Sequence, residues 1–415
     1  MIRIGIVGCG RILAAHLEGY RILREAGVDG FEIAALCARR AEDALSYVKR
    51  GEGPAQRPAV SDLPGDPLAI DDRYLSDFQD TGSVEIYTDY REMIARGRID
   101  AVNDFSTHGL HHQVAEAAFA HGRHLLSQKP LAVTMEGARR MCEGAERAGV
   151  TFGVFENLRY VPSARHQSWA FSEHGPAGAL QMAVLGNIGT WWAPDLVVAE
   201  TPWRHRIDEG GGMALDLGPH FFDLVRHVSG SEVVAVSART QVAEATRWIR
   251  RRGEKADAVA CDADDTFHAH FSLASGACGT MFGSWGGHGG STVVGEGAVF
   301  HGSRARVCGD EIRIDGEPPR PLAELYAAEA PAQLREAHFP LGLEDDFALA
   351  QLDWLRAVER GGQPECSGRE GLRDLACAYT LVESSLAGRE VAVEEVESGA
   401  VRAYQRPIDE RYGLL

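Results

Sequence analysis

Ile2-Arg3-Ile4-Gly5-Ile6-Val7-Gly8-Cys9-Gly10-Arg11-Ile12-Leu13 opens the chain and carries the decision about its fold. Ile2–Val7 is short and apolar, the texture of a strand buried on both faces. It stops at Gly8. From residue 12 to 26 the apolar positions Leu13, Leu17, Tyr20 and Leu23 recur near 3.6 residues, which predicts a helix. Strand, G-x-G and helix in this order place backbone N–H groups where a dinucleotide pyrophosphate rests. Gly8, Gly10, Arg11 and Ile12 are the candidate contacts. Leu13 stands where the motif expects a third glycine, and a G-x-G alone is a weak signal whose competitor is an ordinary tight turn.

Working outward, the spacing predicts strands at 31–37, 99–105 and 124–127 and helices at 41–48 and 112–121. Alternation of this kind predicts an α/β doubly wound parallel sheet, here a dinucleotide-binding domain over residues 1–152. Residues 50–84 break the pattern with Pro54, Pro58, Pro64 and Pro67 and read as an inserted, solvated surface loop. Beyond residue 152 the texture changes to alternating segments with glycine punctuation at 180–187, 233–240, 265–273, 279–285 and 293–301. These predict a large, mostly antiparallel open sheet in a second α/β domain, 153–415, serving substrate binding and oligomerisation. Helices are expected at 344–359 and 370–387. The basic stretch 247–255 reads as a hairpin or loop tip facing water.

Composition narrows the function classes. With 42 Lys+Arg against 60 Asp+Glu, the net charge is −18, which disfavours nucleic acid and anionic membranes as partners. Any phosphate must be attracted locally. The 8 cysteines are scattered without CxxC spacing, so no metal site is expected and a reducing compartment fits. No basic segment followed by a long apolar stretch opens the chain, and the apolar window near 179–199 is broken by Asn187, Pro194 and Asp195. The expected location is cytoplasmic.

Three further motifs carry chemistry. Cys37-Ala38-Arg39-Arg40 ends the second strand, where NAD sites place an acid on the ribose 2′-OH. Ala38 offers none, and Arg39 and Arg40 suit a 2′-phosphate, so NADP is expected over NAD. Ser127-Gln128-Lys129-Pro130 places a lysine at a strand's carboxyl end, facing the ligand crevice. There desolvation can lower its pKa for proton work on a hydroxyl. Gly210-Gly211-Gly212-Met213-Ala214-Leu215-Asp216-Leu217-Gly218-Pro219-His220 sets Asp216 and His220 four residues apart, one helical face for a carboxylate and an imidazole. Pro219 belongs in a first turn, so the helix is expected to start near Leu217, leaving Asp216 the alternative of an N-cap. Trp191, Trp192 and Trp203 precede this segment and can stack on a sugar or pack in the core; Arg159, Arg204 and His205 are polar candidates.

Taken in order, the G-x-G, Gln128-Lys129-Pro130, Asn157-Leu158-Arg159-Tyr160 and the glycine run with Asp216 and His220 resemble the glucose-fructose oxidoreductase / inositol dehydrogenase / rhizopine catabolism (Gfo/Idh/MocA) family of NAD(P)-dependent oxidoreductases. The stretch from Thr107-His108-Gly109-Leu110-His111 through Gln128-Lys129-Pro130 is the most specific part of the likeness. The resemblance implies Lys129, Asp216 and His220 as catalytic residues. Ser106, Thr107, His108, His111 and Gln128 join Lys129 and the residues above at the cofactor. Asn157, Arg159, Tyr160, Trp191 and Trp203 join Asp216 and His220 at a small polyhydroxylated substrate. It also implies a homodimer or homotetramer. Gln128 stands in place of the family's glutamate. Two rivals remain: a glycoside-cleaving enzyme that recycles a retained nicotinamide, and a cofactor-binding regulator, which would need no proton-transfer set.

Overall fold

The structure, a computed structural model, describes residues 1–251 and 254–415. The chain divides into two compact units. One comprises Met1–Val133, Gly137–Asn157 and Leu341–Leu372; the other comprises Thr134–Glu136, Leu158–Pro340 and Arg373–Leu415.

In the first unit the elements are β1 (Ile2–Val7), α1 (Ile12–Glu25), β2 (Phe31–Cys37), α2 (Ala41–Leu45), β3 (Glu85–Tyr87), α3 (Tyr90–Arg96), β4 (Ala101–Asp104), α4 (His108–Ala120), β5 (His124–Gln128), α5 (Met135–Ala148) and β6 (Phe152–Phe155). The six strands form a parallel sheet in the order β3-β2-β1-β4-β5-β6, the doubly wound topology of a Rossmann fold. Ile4, Ile6, Val102 and Leu125 are fully buried because helices cover both faces. Val7 pairs with Cys37 on one side and Asp104 on the other, so the strand order reverses beside β1.

Helix Asp346–Arg360 lies in this unit, not with the C-terminal part of the chain where sequence reading places it. Its Trp354 is fully buried, and the indole N–H donates to the Leu125 carbonyl at 3.0 Å. Periodicity identifies an apolar helical face but not which core receives it.

The segment 50–84 is more tightly built in than a solvated loop. Leu75 is fully buried. The side-chain amide of Gln79 accepts the Ile33 N–H and donates to the Ile33 carbonyl, both at 2.9 Å. It thereby replaces a strand neighbour along the part of β2 that β3, paired only with Ala35–Cys37, does not reach.

The second unit contains α6 (Pro162–Ala170), β7 (Leu180–Ile188), α7 (Met213–Ser229), β8 (Val233–Gln241), β9 (Thr246–Arg251), β10 (Glu254–Ala260), β11 (Thr266–Leu273), β12 (Cys278–Ser284), β13 (Thr292–Gly302), β14 (Ala305–Cys308), β15 (Glu311–Ile314), β16 (Arg320–Pro321) and β17 (Val391–Ala392). Nine of its strands form a sheet in the order β16-β15-β14-β13-β7-β12-β11-β8-β17. Its pairs are antiparallel except β7 with β12. In β11, Phe267, Ala269, Phe271 and Leu273 are buried while His268 and His270 are exposed, the two-residue period of a sheet with one covered face. β9 and β10 form a separate antiparallel pair, and residues 252 and 253 between them lie outside the described residues. Arg247 departs from the solvated reading of this basic stretch. It is fully buried, paired with Asp265 at 3.1 Å, and donates to the Leu196 carbonyl at 3.2 Å. Among the described residues, no helix is long and apolar enough to cross a membrane.

α7 is tied into this unit by a buried ion pair. Arg226 Nη1 lies 2.6 Å from Asp374, with both side chains almost wholly buried, while Nε reaches Glu232 at 2.8 Å. Removing one partner strands a charge in a dry interior. Arg226→Met is therefore expected to cost about 3–5 kcal/mol in denaturant unfolding, and adding Asp374→Leu should recover most of it. A single-variant loss below about 1 kcal/mol would show that solvent already screens the pair.

Candidate active site

In the first unit the site grows from the carboxyl ends of β1 and β4. Gly8 has φ +100°, and a Cβ there would lie 2.5 Å from the Phe105 carbonyl carbon and oxygen and 2.6 Å from the Ser106 nitrogen. Only glycine permits this approach. A Cβ on Gly10 would meet nothing within 4 Å, so the space before the turn is open. α1 begins at Ile12 with no side-chain cap on its N-terminus, and α4 begins at His108 likewise uncapped by the Thr107 side chain. Helix N-termini of this kind attract anions, and the open, uncapped turn fits a dinucleotide pyrophosphate. Leu13 occupies the third-glycine position without obstructing the turn because it is fully buried in the core.

Ala38 follows β2 and is half-buried, with Arg39 and Arg40 exposed beyond it. Arg40 is bound in a fork to Asp43, Nε–Oδ2 at 3.1 Å and Nη2–Oδ1 at 2.7 Å. Ser106 is half-buried, Thr107 exposed and His108 buried. His111 is fully buried. Its Nδ1 lies 3.1 Å from the Pro130 carbonyl and its Nε2 3.3 Å from the Ser106 carbonyl. It thus ties the turn after β4 to the turn after β5 rather than facing the open crevice. Beneath it, burial raises the Asp104 carboxyl above the usual carboxylate range, although Oδ1 accepts the Ser106 N–H at 3.0 Å.

Lys129 follows β5 and is half-buried, joined to Pro130 by a cis peptide bond. Gln128 secures the backbone beside it: Oε1 accepts the Lys129 N–H, and Nε2 donates to His16 Nε2, both at 2.9 Å. An amide nitrogen only donates, so His16 carries its proton on Nδ1. Complete burial holds His16 well below the usual imidazole range, hence neutral, and its ring stacks on Phe105 at 3.5 Å. Neither His16 nor Phe105 was visible as a site residue from spacing. Asn157, also in this unit, donates to Asp346.

In the second unit α7 spans both Asp216 and His220, giving them the i, i+4 spacing of one helical face. The helix starts at Met213, not near Leu217, and Pro219 lies inside it. The start moves upstream because Asp264 supplies the cap: its carbonyl accepts the Met213 N–H at 2.8 Å and its Oδ2 accepts the Ala214 N–H at 2.9 Å. Asp216 falls in the first turn, where a carboxylate complements the helix dipole. Its Oδ2 lies 3.1 Å from Arg204 Nε. Arg204 also donates to Thr201 at 2.6 Å and sits 4.5 Å from the Trp203 ring centroid and 5.9 Å from that of Trp191. The two tryptophans singled out for sugar stacking thus flank a guanidinium. His220 is half-buried. Arg159 is committed to Asp223 in a buried pair, and Tyr160 is buried beneath the Arg165 guanidinium. His205 is buried, its Nε2 accepts the Val198 N–H at 3.1 Å, and burial pushes it down to about 4. These three brace the unit's interior.

Residues 2–156 match the model of the oxidoreductase family with an NAD-binding Rossmann fold, and residues 172–314 match that of the GFO/IDH/MocA C-terminal domain. The chain belongs to the Gfo/Idh/MocA family. It is 26% identical over 409 residues to a D-apiose dehydrogenase of Paraburkholderia graminis, covering 95% of this chain and 90% of that protein. It is 25% identical over 398 residues to a myo-inositol 2-dehydrogenase of Thermotoga maritima, covering 95% and 99%. The fold of a levoglucosan dehydrogenase solved with NADH and L-sorbose superposes with a TM-score of 0.71 at 20% identity, covering 96% of this chain and all (100%) of that one. As a Gfo/Idh/MocA chain the protein is an oxidoreductase. The glutamine at 128 meets the neutral His16 through its side-chain amide.

Asp264 generates a pH test. Its carboxyl is completely buried, and burial pushes it up to about 7 from an ordinary 3.8 despite the helix N–H groups that favour the charged form. The folded state therefore binds a proton that the unfolded state releases. The associated stability is present below about pH 4 and is lost as pH rises through about 7. Asp264→Asn, which mimics the protonated acid, should remove a decline of roughly 2–4 kcal/mol between these limits. Thermal unfolding followed from pH 4 to 8 reads this out; an unchanged slope in the variant would assign the titration elsewhere.

Proposed function

We propose that the protein is an NADP-preferring dehydrogenase or reductase acting at a ring carbon of a sugar, sugar derivative or cyclitol. The end of β2 carries the cofactor preference: Ala38 supplies no carboxylate for a ribose 2′-OH, and the exposed Arg39 and Arg40 suit a 2′-phosphate. Relatives named for apiose and myo-inositol support a polyhydroxylated substrate. The charge of −18 also favours a neutral polyol over a polyanion. A cytoplasmic homodimer or homotetramer belongs to the same reading.

The bound nicotinamide supplies or takes up the hydride. In this reading Lys129 holds the reacting oxygen with a charged donor, which its fixed backbone at the end of β5 supports. His220 takes the hydroxyl proton in oxidation and returns it in reduction. Asp216, steadied through Oδ2 by Arg204, orients the imidazole or the substrate hydroxyl.

Lys129→Met should lower turnover by roughly 100- to 10,000-fold while leaving NADPH binding, followed by nicotinamide fluorescence, within about twofold. Full turnover in this variant sinks the assignment. The substrate class is tested by a panel of sugars and cyclitols with NADP and NAD, following absorbance of the reduced nicotinamide. Signal with no member of the panel would count against it.

A further inference from the structure

The insertion 50–84 returns to the cofactor side of the first unit at one point. Arg57 Nη2 lies 3.3 Å from Asp43 Oδ1, the oxygen that also takes Arg40 at 2.7 Å. Its neighbours hold it there. Gln56 Nε2 donates to the Ser46 carbonyl at 3.1 Å and to the Arg73 carbonyl at 2.7 Å. The Pro58 carbonyl accepts Arg11 Nε at 3.2 Å, and Arg11 is the residue at the start of α1. Tyr47, just after α2, donates its hydroxyl to the Gly10 carbonyl at 2.8 Å, and the charges of Arg11, Arg57 and Asp43 all act on that phenol. Arg57 is therefore anchored on both sides, between the G-x-G turn and the end of β2.

Two guanidinium groups, those of Arg40 and Arg57, meet here on the carboxylate of Asp43, with Arg11 held close by through Pro58. Arg57 keeps 48% of its side chain exposed and Arg40 66%, whereas the Asp43 they share is 16% exposed. The acid draws the two cations together from beneath and leaves their remaining donors facing solvent. We propose that Arg57, delivered by the insertion, is a specificity-determining residue that with Arg40 clamps the 2′-phosphate of NADP. This rests on the NADP reading above and extends it to a segment outside the Rossmann core. A 2′-phosphate takes fork-like donation from two guanidinium groups, and a ribose hydroxyl does not.

The test compares NADPH and NADH binding, by nicotinamide fluorescence, in the wild-type enzyme, Arg57→Ala and Arg40→Ala. The analogues 2′,5′-ADP and 5′-AMP serve as competitors. Arg57→Ala is expected to weaken NADPH and 2′,5′-ADP by about 10- to 100-fold while changing NADH and 5′-AMP by less than about twofold. Equal weakening of all four would place Arg57 at the pyrophosphate or in the fold and overturn the inference. So would a wild-type NADPH preference that survives Arg57→Ala but is lost in Arg40→Ala, which leaves the NADP reading standing. A wild-type enzyme that binds NADPH no better than NADH overturns both.

Discussion

The first unit depends on one close approach, the backbone of Gly8 against the turn that follows β4. β1 and β4 are hydrogen-bonded neighbours, but the chain leaves them for helices that start from separate turns. The turns can lie side by side only if residue 8 has no side chain, because a Cβ would sit 2.5 Å from the Phe105 carbonyl. With that volume vacant, Val7 keeps its register with Asp104, and α1 and α4 both start at the same end of the sheet without side-chain caps. Their N-terminal ends together make a fixed positive end for a phosphate. A steric constraint at one residue thus becomes an electrostatic property of the crevice.

The second unit reaches its ordered helix start by a different route. Gly212, at φ +125°, provides the sharp entry to α7 but has no side chain to cap with. Asp264 supplies the missing acceptors from the strand side of the unit. The arrangement is possible only because Gly212 leaves room, since a Cβ there would lie 2.4 Å from Asp264 Oδ1. Burial then outweighs the helix dipole in setting that carboxyl's charge. One turn further on, Asp216 keeps a cationic partner, Arg204, whose guanidinium lies near the rings of Trp203 and Trp191. The guanidinium is further held by Thr201, so Asp216 meets a cation that is itself anchored.

Much of this was legible in the sequence, for reasons that differ by residue. Ile2–Val7, Phe31–Cys37 and the alternating strands of the second unit announce themselves because burial on one or two faces imposes a short-range pattern. Asp216 and His220 share a face because four-residue spacing on a helix is local geometry. The start of α7 was not legible: Pro219 argued for a boundary near Leu217, and the acceptor that overrides it is Asp264, distant in the chain. The surroundings of the tryptophans were not legible either. Their size was evident, but whether they meet a sugar or the Arg204 guanidinium depends on a fold that brings residues 191 and 203 to one side chain. Arg159 carried the polarity of a ligand contact and spends it on Asp223. Polarity specifies a need for a partner, not which partner.

The insertion joins these threads through charge. A net charge of −18 acts on a ligand chiefly through groups within about one Debye length, roughly 8 Å at physiological ionic strength. Near the end of β2 those groups include the guanidinium groups of Arg40 and Arg57 on Asp43, so a phosphate there can meet cations despite the net charge. A loop of this length costs little more to close than a shorter one, because closure entropy grows only logarithmically. What would spoil it is freedom at its working residue. Leu75 in the core, Gln79 along the edge of β2 and Gln56 on two carbonyls remove that freedom without requiring regular secondary structure. A segment that reads as solvated from its prolines and aspartates can therefore hold Arg57 at a defined place beside Asp43. The prolines that interrupt the strand-helix pattern also limit the conformations left to suppress.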